Sequence, residues 1–188
     1  NKVGALERIV EDLLDVSKIE SGRPLLLEKA PAKLSKLVDG LVRDHQRETK
    51  RHKIITESDD PELLLMIDSG RITQVLNNLI SNAIRYTPLG ERIQIYWSSA
   101  PEGLMFIVKD SGPGIAAEHL PRLAERFYRV DRSRSRETGG TGLGLAITKH
   151  VMQRHGGELR IESVVGQGST FRLVFPQSRV VVSSPQLA

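Results

Sequence analysis

Cysteine is absent from the 188 residues, which excludes disulfides, thiolate nucleophiles and every Cys-based metal site. No apolar run approaches the roughly 20 residues that span a bilayer, and no charged n-region followed by an apolar h-region opens the chain. Aromatics amount to 4%. The formal charge of +4 invites a nucleic-acid reading, but much of the excess falls between Arg122 and Arg136, beside glycines rather than on an aromatic-laced face. A basic loop near a triphosphate has the same composition, so no nucleic-acid partner is expected. What remains, 39% hydrophobic and 27% charged residues, suits a globular domain in a cytoplasmic setting without membrane contact of its own. The chain begins at Asn1, inside a helical pattern, so a fragment of a longer protein is expected.

From Val3 to Glu20 apolar residues fall at Leu6, Ile9, Val10, Leu13, Val16 and Ile19, a three-four stripe that wants a partner helix or its own domain. Ser21, Gly22 and Pro24 end it, giving a boundary near residue 22. Further on, the patterns predict a strand at Leu25 to Leu27, a helix from Leu34 to Glu48 and short strands around Ile54 and Leu64. A helix capped by Ser69 follows and stops at Thr87 and Pro88. Then come a hairpin of Ile93 to Trp97 with Leu104 to Val108, a helix near Glu118 to Arg126, a helix from Leu143 to His155, and a hairpin of Leu159 to Ser163 with Thr170 to Phe175. Strands and helices do not alternate strictly, so an α/β (α+β) two-layer sandwich with a mixed sheet and helices on one face is the expected architecture. The expected organisation is 1–22 as an incomplete helical element, 23–177 as the folded domain and 178–188 as a mobile tail.

Five blocks carry chemistry: NNLISNAIRYT, DSGPGI, RFYRVD, GGTGLGL and GQGSTF. Asn78 and Asn82 lie four apart on one helical face, where amide oxygens with phosphate oxygens and water would complete a magnesium octahedron. Buried, hydrogen-bonded amides fit that spacing equally. Arg85 and Tyr86 follow, a cation for phosphate and a ring for a base. Asp110 ends a strand, and its carboxylate can accept from the exocyclic amine of adenine while Gly112 and Gly114 let backbone approach the base; a simple Asp-initiated turn is the other reading. Gly139, Gly140, Gly142 and Gly144 lead into a helix whose first amides make an anion site, or else form a glycine hinge. No Lys-Ser or Lys-Thr pair follows them, so this is not a Walker loop, and the spacing is wrong for a dinucleotide fingerprint. Arg126, Arg129, Arg132, Arg134 and Arg136 can reach a terminal phosphate, Arg129 being the one singled out. None of His45, His52, His119, His150 and His155 is followed by a carboxylate, and no two pair as metal ligands.

With these blocks in order, the chain resembles the catalytic and ATP-binding domain of bacterial sensor histidine kinases, and its ERFYRVDRSRSRETGGTGLGLAITKH stretch is similar to the phosphate-regulon sensor subgroup. The resemblance runs from residue 25 to Phe175, and DLLDVSKIESG is similar to the end of that family's second dimerisation helix. It implies a Bergerat-type ATP-binding fold with ATP and Mg2+ as cofactors. Asp110 would hold adenine, Asn78 and Asn82 magnesium, Arg85 and Arg129 phosphates, and Tyr86 the base. Gly112, Gly114, Ile115, Gly140, Thr141, Gly142, Leu143, Gly144, Leu145 and Thr170 would line the site, Arg129 to Thr141 would cover it, and Phe127 would dock that cover. It further implies a parent that is homodimeric, anchored in the bacterial inner membrane, and that passes phosphate from a histidine to a response regulator. The family's acceptor histidine is followed by an acidic residue, so this chain is expected to lack it. Two alternatives stand beside the kinase: an ATP hydrolase of the same superfold, which would want a glutamate where Asn78 stands, and a non-catalytic interaction module.

Overall fold

The computed structural model describes residues 2–21, 25–49, 52–88, 91–130 and 141–181. In chain order they form α1 (Lys2–Glu20), β1 (Ala30–Lys33), α2 (Leu34–Glu48), β2 (Lys53–Ser58), β3 (Leu64–Ile67), α3 (Ser69–Tyr86), β4 (Arg92–Ala100), β5 (Gly103–Asp110), α4 (Gly144–Arg154), β6 (Glu158–Val164), β7 (Gly168–Pro176) and β8 (Val180–Val181).

A five-stranded sheet in the order β2-β4-β5-β7-β6 is mixed: β2 runs parallel to β4 and every other pairing is antiparallel. Strand alternation turns Ile93, Ile95 and Trp97 of β4, Leu104, Phe106 and Val108 of β5, and Phe171, Leu173 and Phe175 of β7 into one buried layer. Helices α2, α3 and α4 pack Val38, Leu76, Leu79, Ile147 and Val151 into the same core. Helix α3 is central because its apolar residues recur every three or four positions, burying Ile72, Val75, Leu76, Leu79, Ile80 and Ala83 on one side.

The cap of α3 is Asp68 and not Ser69, since the Asp68 carboxylate accepts the Arg71 N–H at 3.0 Å. Thr87, followed by Pro88, ends the helix as expected. The predicted strand at Leu25 to Leu27 does not form. The Glu28 N–H just beyond it is spent on the other Asp68 oxygen at 3.0 Å rather than on a strand ladder. The helix expected near Glu118 to Arg126 reduces to a single 3-10 turn at Leu120–Arg122, where Pro121 offers no N–H for a longer ladder. The tail expected from 178 instead turns through a 3-10 segment and pairs as β8 with β3, while Arg179 Nε donates to His155 O at 2.7 Å. Residues 182–188, Gly22 and Pro24 lie outside the described residues. Helix α1 does not stand apart: Val16 is 4% exposed, and Asp15 reaches Arg71 of α3.

Candidate functional site

Helix α3 forms the spine of the site. Near its middle, Asn78 Nδ2 donates to Gly144 O at the first turn of α4, 3.3 Å away, which leaves Asn78 Oδ1 as the oxygen for a ligand. Asn82 lies one turn further along the same face. At the C-terminal end, Tyr86 is 52% exposed and its carbonyl abuts Gly112: a Cβ on Gly112 would sit 2.8 Å from Tyr86 O and 2.8 Å from Asp110 Oδ1. Only glycine fits that approach. From Asn78 to Tyr86, at 1.5 Å per residue, the two ends of the site along this spine are about 12 Å apart. One end therefore borders the glycine-led start of α4 and the other borders the Asp110 loop.

Asp110 occupies the last position of β5, inward-facing and 6% exposed. Its Oδ1 accepts the N–H groups of Gly112 at 2.8 Å and Ser169 at 3.2 Å. Burial pushes the Asp110 carboxyl above its ordinary value, and the two N–H donors oppose that rise. Both bonds fall on one oxygen, so Oδ2 is the acceptor left for a ligand. The loop onward from Asp110 is fastened to the β6–β7 hairpin: Gly166 N–H donates to Pro113 O at 2.8 Å and Ile115 N–H to Ser163 Oγ at 2.8 Å.

The segment before the glycine-led helix is closed at its base. Phe127 N–H donates to Gly142 O at 2.9 Å. Phe127 has φ 62 and Gly142 φ 74, both left-handed, and a Cβ on Gly142 would meet the Phe127 backbone at 2.9 Å. The Tyr128 hydroxyl sits 2.6 Å from His119 Nδ1, with the Arg122 guanidinium 4.3 Å above its ring. Leu143 N–H donates to Thr141 Oγ1 at 3.3 Å, and Leu143 itself is buried. Leu145 packs against the core, and Arg85 is exposed on the last turn of α3. Arg129 lies half-buried in the same closed loop. Gly139 and Gly140, with Asp131, Arg132, Arg134 and Arg136, lie outside the described residues.

One expected residue is not brought in. Thr170 pairs with Lys109 in the register, so pleat alternation places it on the face opposite Asp110. Ser169, directly across from Asp110, faces the site instead. Ser163 was equally unread, since nothing in the sequence gives the register of β6 against β7. The strand expected from Thr170 starts two residues earlier, at Gly168. Of the histidines, His52 and His155 are buried and bonded to backbone carbonyls, and His45 Nε2 lies 2.8 Å from Asn77 Oδ1. Among the described residues no three His, Asp or Glu side chains are grouped to hold a metal. A cation here would therefore depend on amide and phosphate oxygens.

Residues 67–179 match the family model described as "Histidine kinase-, DNA gyrase B-, and HSP90-like ATPase". The phosphate regulon sensor protein PhoR of Pseudomonas aeruginosa is 38% identical over 95% of this chain and 40% of its own length. The sensor histidine kinase WalK of Bacillus subtilis is 36% identical over 94% of the chain and 29% of its own. The chain thus spans less than half the length of these relatives. Among solved structures, full-length ShkA in complex with AMPPNP is 27% identical with a TM-score of 0.79, over 98% of this chain and 38% of that one. Among the described residues no helix is long and apolar enough to cross a membrane.

Proposed function

We propose, from the premise that the chain belongs to the family of histidine kinase-, DNA gyrase B- and HSP90-like ATPases, that it is the ATP-binding lobe of a two-component sensor histidine kinase. Asp110 carries this reading. It is a nearly buried carboxylate with its neighbours' N–H groups on Oδ1 only, so it offers Oδ2 to the 6-amino group of adenine and has no proton for the 6-keto oxygen of guanine.

The rest of the donor set suits Mg-ATP. Asn78 and Asn82 offer neutral oxygens to a hard cation that keeps several waters. Gly142 and Gly144 leave the first amides of α4 uncovered for phosphate oxygens, and Arg85 and Arg129 supply positive charge. Bound Mg-ATP would supply the phosphoryl group. The chain's own residues hold the base at Asp110, align the triphosphate along α3 and keep the base pocket dry. No histidine here is followed by an acidic residue, so the accepting histidine is assigned to another segment, and the onward acceptor to an aspartate of a response regulator. The exposed Val10, Leu13 and Leu14 of α1 are assigned to a dimerisation bundle, and the parent to the bacterial inner membrane with this lobe in the cytoplasm.

Calorimetric titration of Mg-ADP and Mg-ATP into the chain and its Asp110→Ala variant tests this reading. Binding that needs both magnesium and Asp110 is expected, and an intact chain that binds neither nucleotide sinks the proposal. Steady phosphate release above a protein-free blank, lost on substitution of Asn78, would mark an ATP hydrolase instead.

A further inference from the structure

Resting on that nucleotide reading, we propose that Ser163 is a positioning residue for the base pocket: a single hydroxyl that pins the loop from Asp110 to Ile115 against the start of β7 before any nucleotide arrives. Ser163 is half-buried on β6, directly across from Ser169 in the register, and is not itself among the residues assigned to the nucleotide. Its Oγ lies 2.8 Å from Ile115 N, 2.9 Å from Gly168 O and 2.9 Å from Ser169 Oγ. A hydroxyl has one proton and two lone pairs. The carbonyl of Gly168 cannot donate, so it takes the Ser163 proton. The lone pairs then receive the Ile115 N–H and the Ser169 hydroxyl proton, which saturates Ser163.

The consequences reach Asp110 from two sides. Ser169, whose hydroxyl proton is committed to Ser163, is the residue whose N–H holds Asp110 Oδ1. Ile115 closes the loop that begins at Asp110 and contains Gly112, the other donor to Oδ1. The pin thus fixes both donors that aim the carboxylate, and Gly166 N–H on Pro113 O adds a second tie between this loop and the hairpin turn. Without the hydroxyl, Ile115 N–H and Gly168 O lose their partners, and ordering the loop must be completed at the expense of nucleotide affinity. The phosphate end of the site, eight residues up α3, is not touched by this change.

The test is Mg-ADP affinity of the 188-residue chain in three forms, with melting temperature followed alongside. Ser163→Ala is expected to bind about fivefold more weakly, the size of one lost hydrogen bond. Ser163→Thr, which keeps the hydroxyl on a strand-favouring residue, is expected to stay within about twofold of the parent on the same scale. GDP is expected to compete against a fluorescent ADP analogue relatively better in Ser163→Ala, because a loosened Asp110 discriminates less at the purine 6-position. Unchanged affinity in Ser163→Ala, an equal loss in Ser163→Thr, or an unaltered ADP-to-GDP preference overturns the proposal. A parent chain that binds no Mg-ADP removes the nucleotide reading itself, and the pin with it.

Discussion

Asp15 of α1 and Arg71 of α3 meet carboxylate to guanidinium at 2.6 Å, and the same Asp15 oxygen accepts from Gln74 Nε2 at 3.0 Å. Arg71 Nη1 also donates to Gln74 Oε1 at 3.1 Å, so the three side chains form one closed network. The Asp15 side chain is almost wholly buried while Arg71 keeps about a quarter of its exposure. The helix with an outward apolar face is therefore held to the domain by a polar clasp beside Val16.

Arg71→Ala would leave the Asp15 carboxylate buried without its cation, a loss of about 1.5–3 kcal/mol for a charge-assisted bond. Hydrogen exchange should show α1 amides losing protection while β5 and β7 keep theirs. Unaltered α1 exchange in Arg71→Ala would mean that Val16 packing alone docks the helix.

Asp110→Asn separates stability from binding. The Asp110 carboxyl titrates above its ordinary value because it is buried, so the folded state favours the proton. The stability linked to that proton is full below the unfolded value and is lost as pH rises through the folded one. At neutral pH the charged form is thus a cost, and an Asn that still accepts from Gly112 and Ser169 removes it. The ligand-free variant should melt no lower than the parent at neutral pH, yet bind Mg-ADP about 1–3 kcal/mol more weakly, having lost a charged acceptor for the amine. A variant that melts lower and binds equally well would reduce Asp110 to a turn residue.

The elements that periodicity made legible were those whose partners do not matter to the pattern. Helix α3 could be read from Ile72 to Ala83 because its buried stripe is written in three-four spacing. The β4–β5 hairpin was legible because Ile93, Ile95 and Trp97 alternate along β4 and the turn at Glu102 and Gly103 leads into the continuous apolar run of β5. Leu25 to Leu27 are a short apolar run that fits a strand, but whether a strand forms depends on a pairing edge, which no local pattern records. Asp68 rather than Ser69 as a cap, and Ser169 rather than Thr170 at Asp110, are one-residue errors of the same origin. A cap is chosen by backbone geometry and a facing residue by register, and both candidates in each pair were chemically suitable. The residue types of the proposed site blocks were legible, but each also fitted a bland role, a turn for Asp110 and buried amides for Asn78 and Asn82. What the sequence could not carry is their bonding, Asp110 Oδ1 to Gly112 and Ser169 and Asn78 to Gly144.

His155 ties the stability of the domain to pH. It is fully buried, its Nδ1 lies 2.8 Å from Val151 O, and its Nε2 accepts the Asp68 N–H at 3.0 Å. The first bond requires a proton on Nδ1 and the second requires none on Nε2, so the neutral ring is the one that fits. Burial lowers its titration below the usual 6.5, with the Val151 bond opposing and Lys29 and Arg179 reinforcing. The folded value being depressed, this stability is complete above 6.5 and is lost as pH falls from there through the folded value. Denaturant unfolding from pH 8 to 5 should show the parent weakening through that window. His155→Gln should be less stable at pH 8 by about 1–3 kcal/mol, with a flatter profile toward pH 5. Parallel profiles would assign the acid sensitivity elsewhere, His150 being the next group, lowered by burial and by Arg154 and Arg126.

Gly142→Ala probes the base of the loop between Phe127 and α4. At φ 74 an alanine is strained in itself, and its Cβ would stand 2.9 Å from the Phe127 backbone, which is already left-handed at φ 62. Neither side can yield without breaking the 2.9 Å bond from Phe127 N–H to Gly142 O. A strain of about 1–3 kcal/mol is expected, and it falls on the turn two residues before the helix that contacts Asn78. Affinity for Mg-ATP should therefore drop more than affinity for Mg-ADP, because the terminal phosphate lies nearest that turn in the proposed orientation, while Asp110 and its donors are undisturbed. Equal losses for the two nucleotides would place the triphosphate differently along α3.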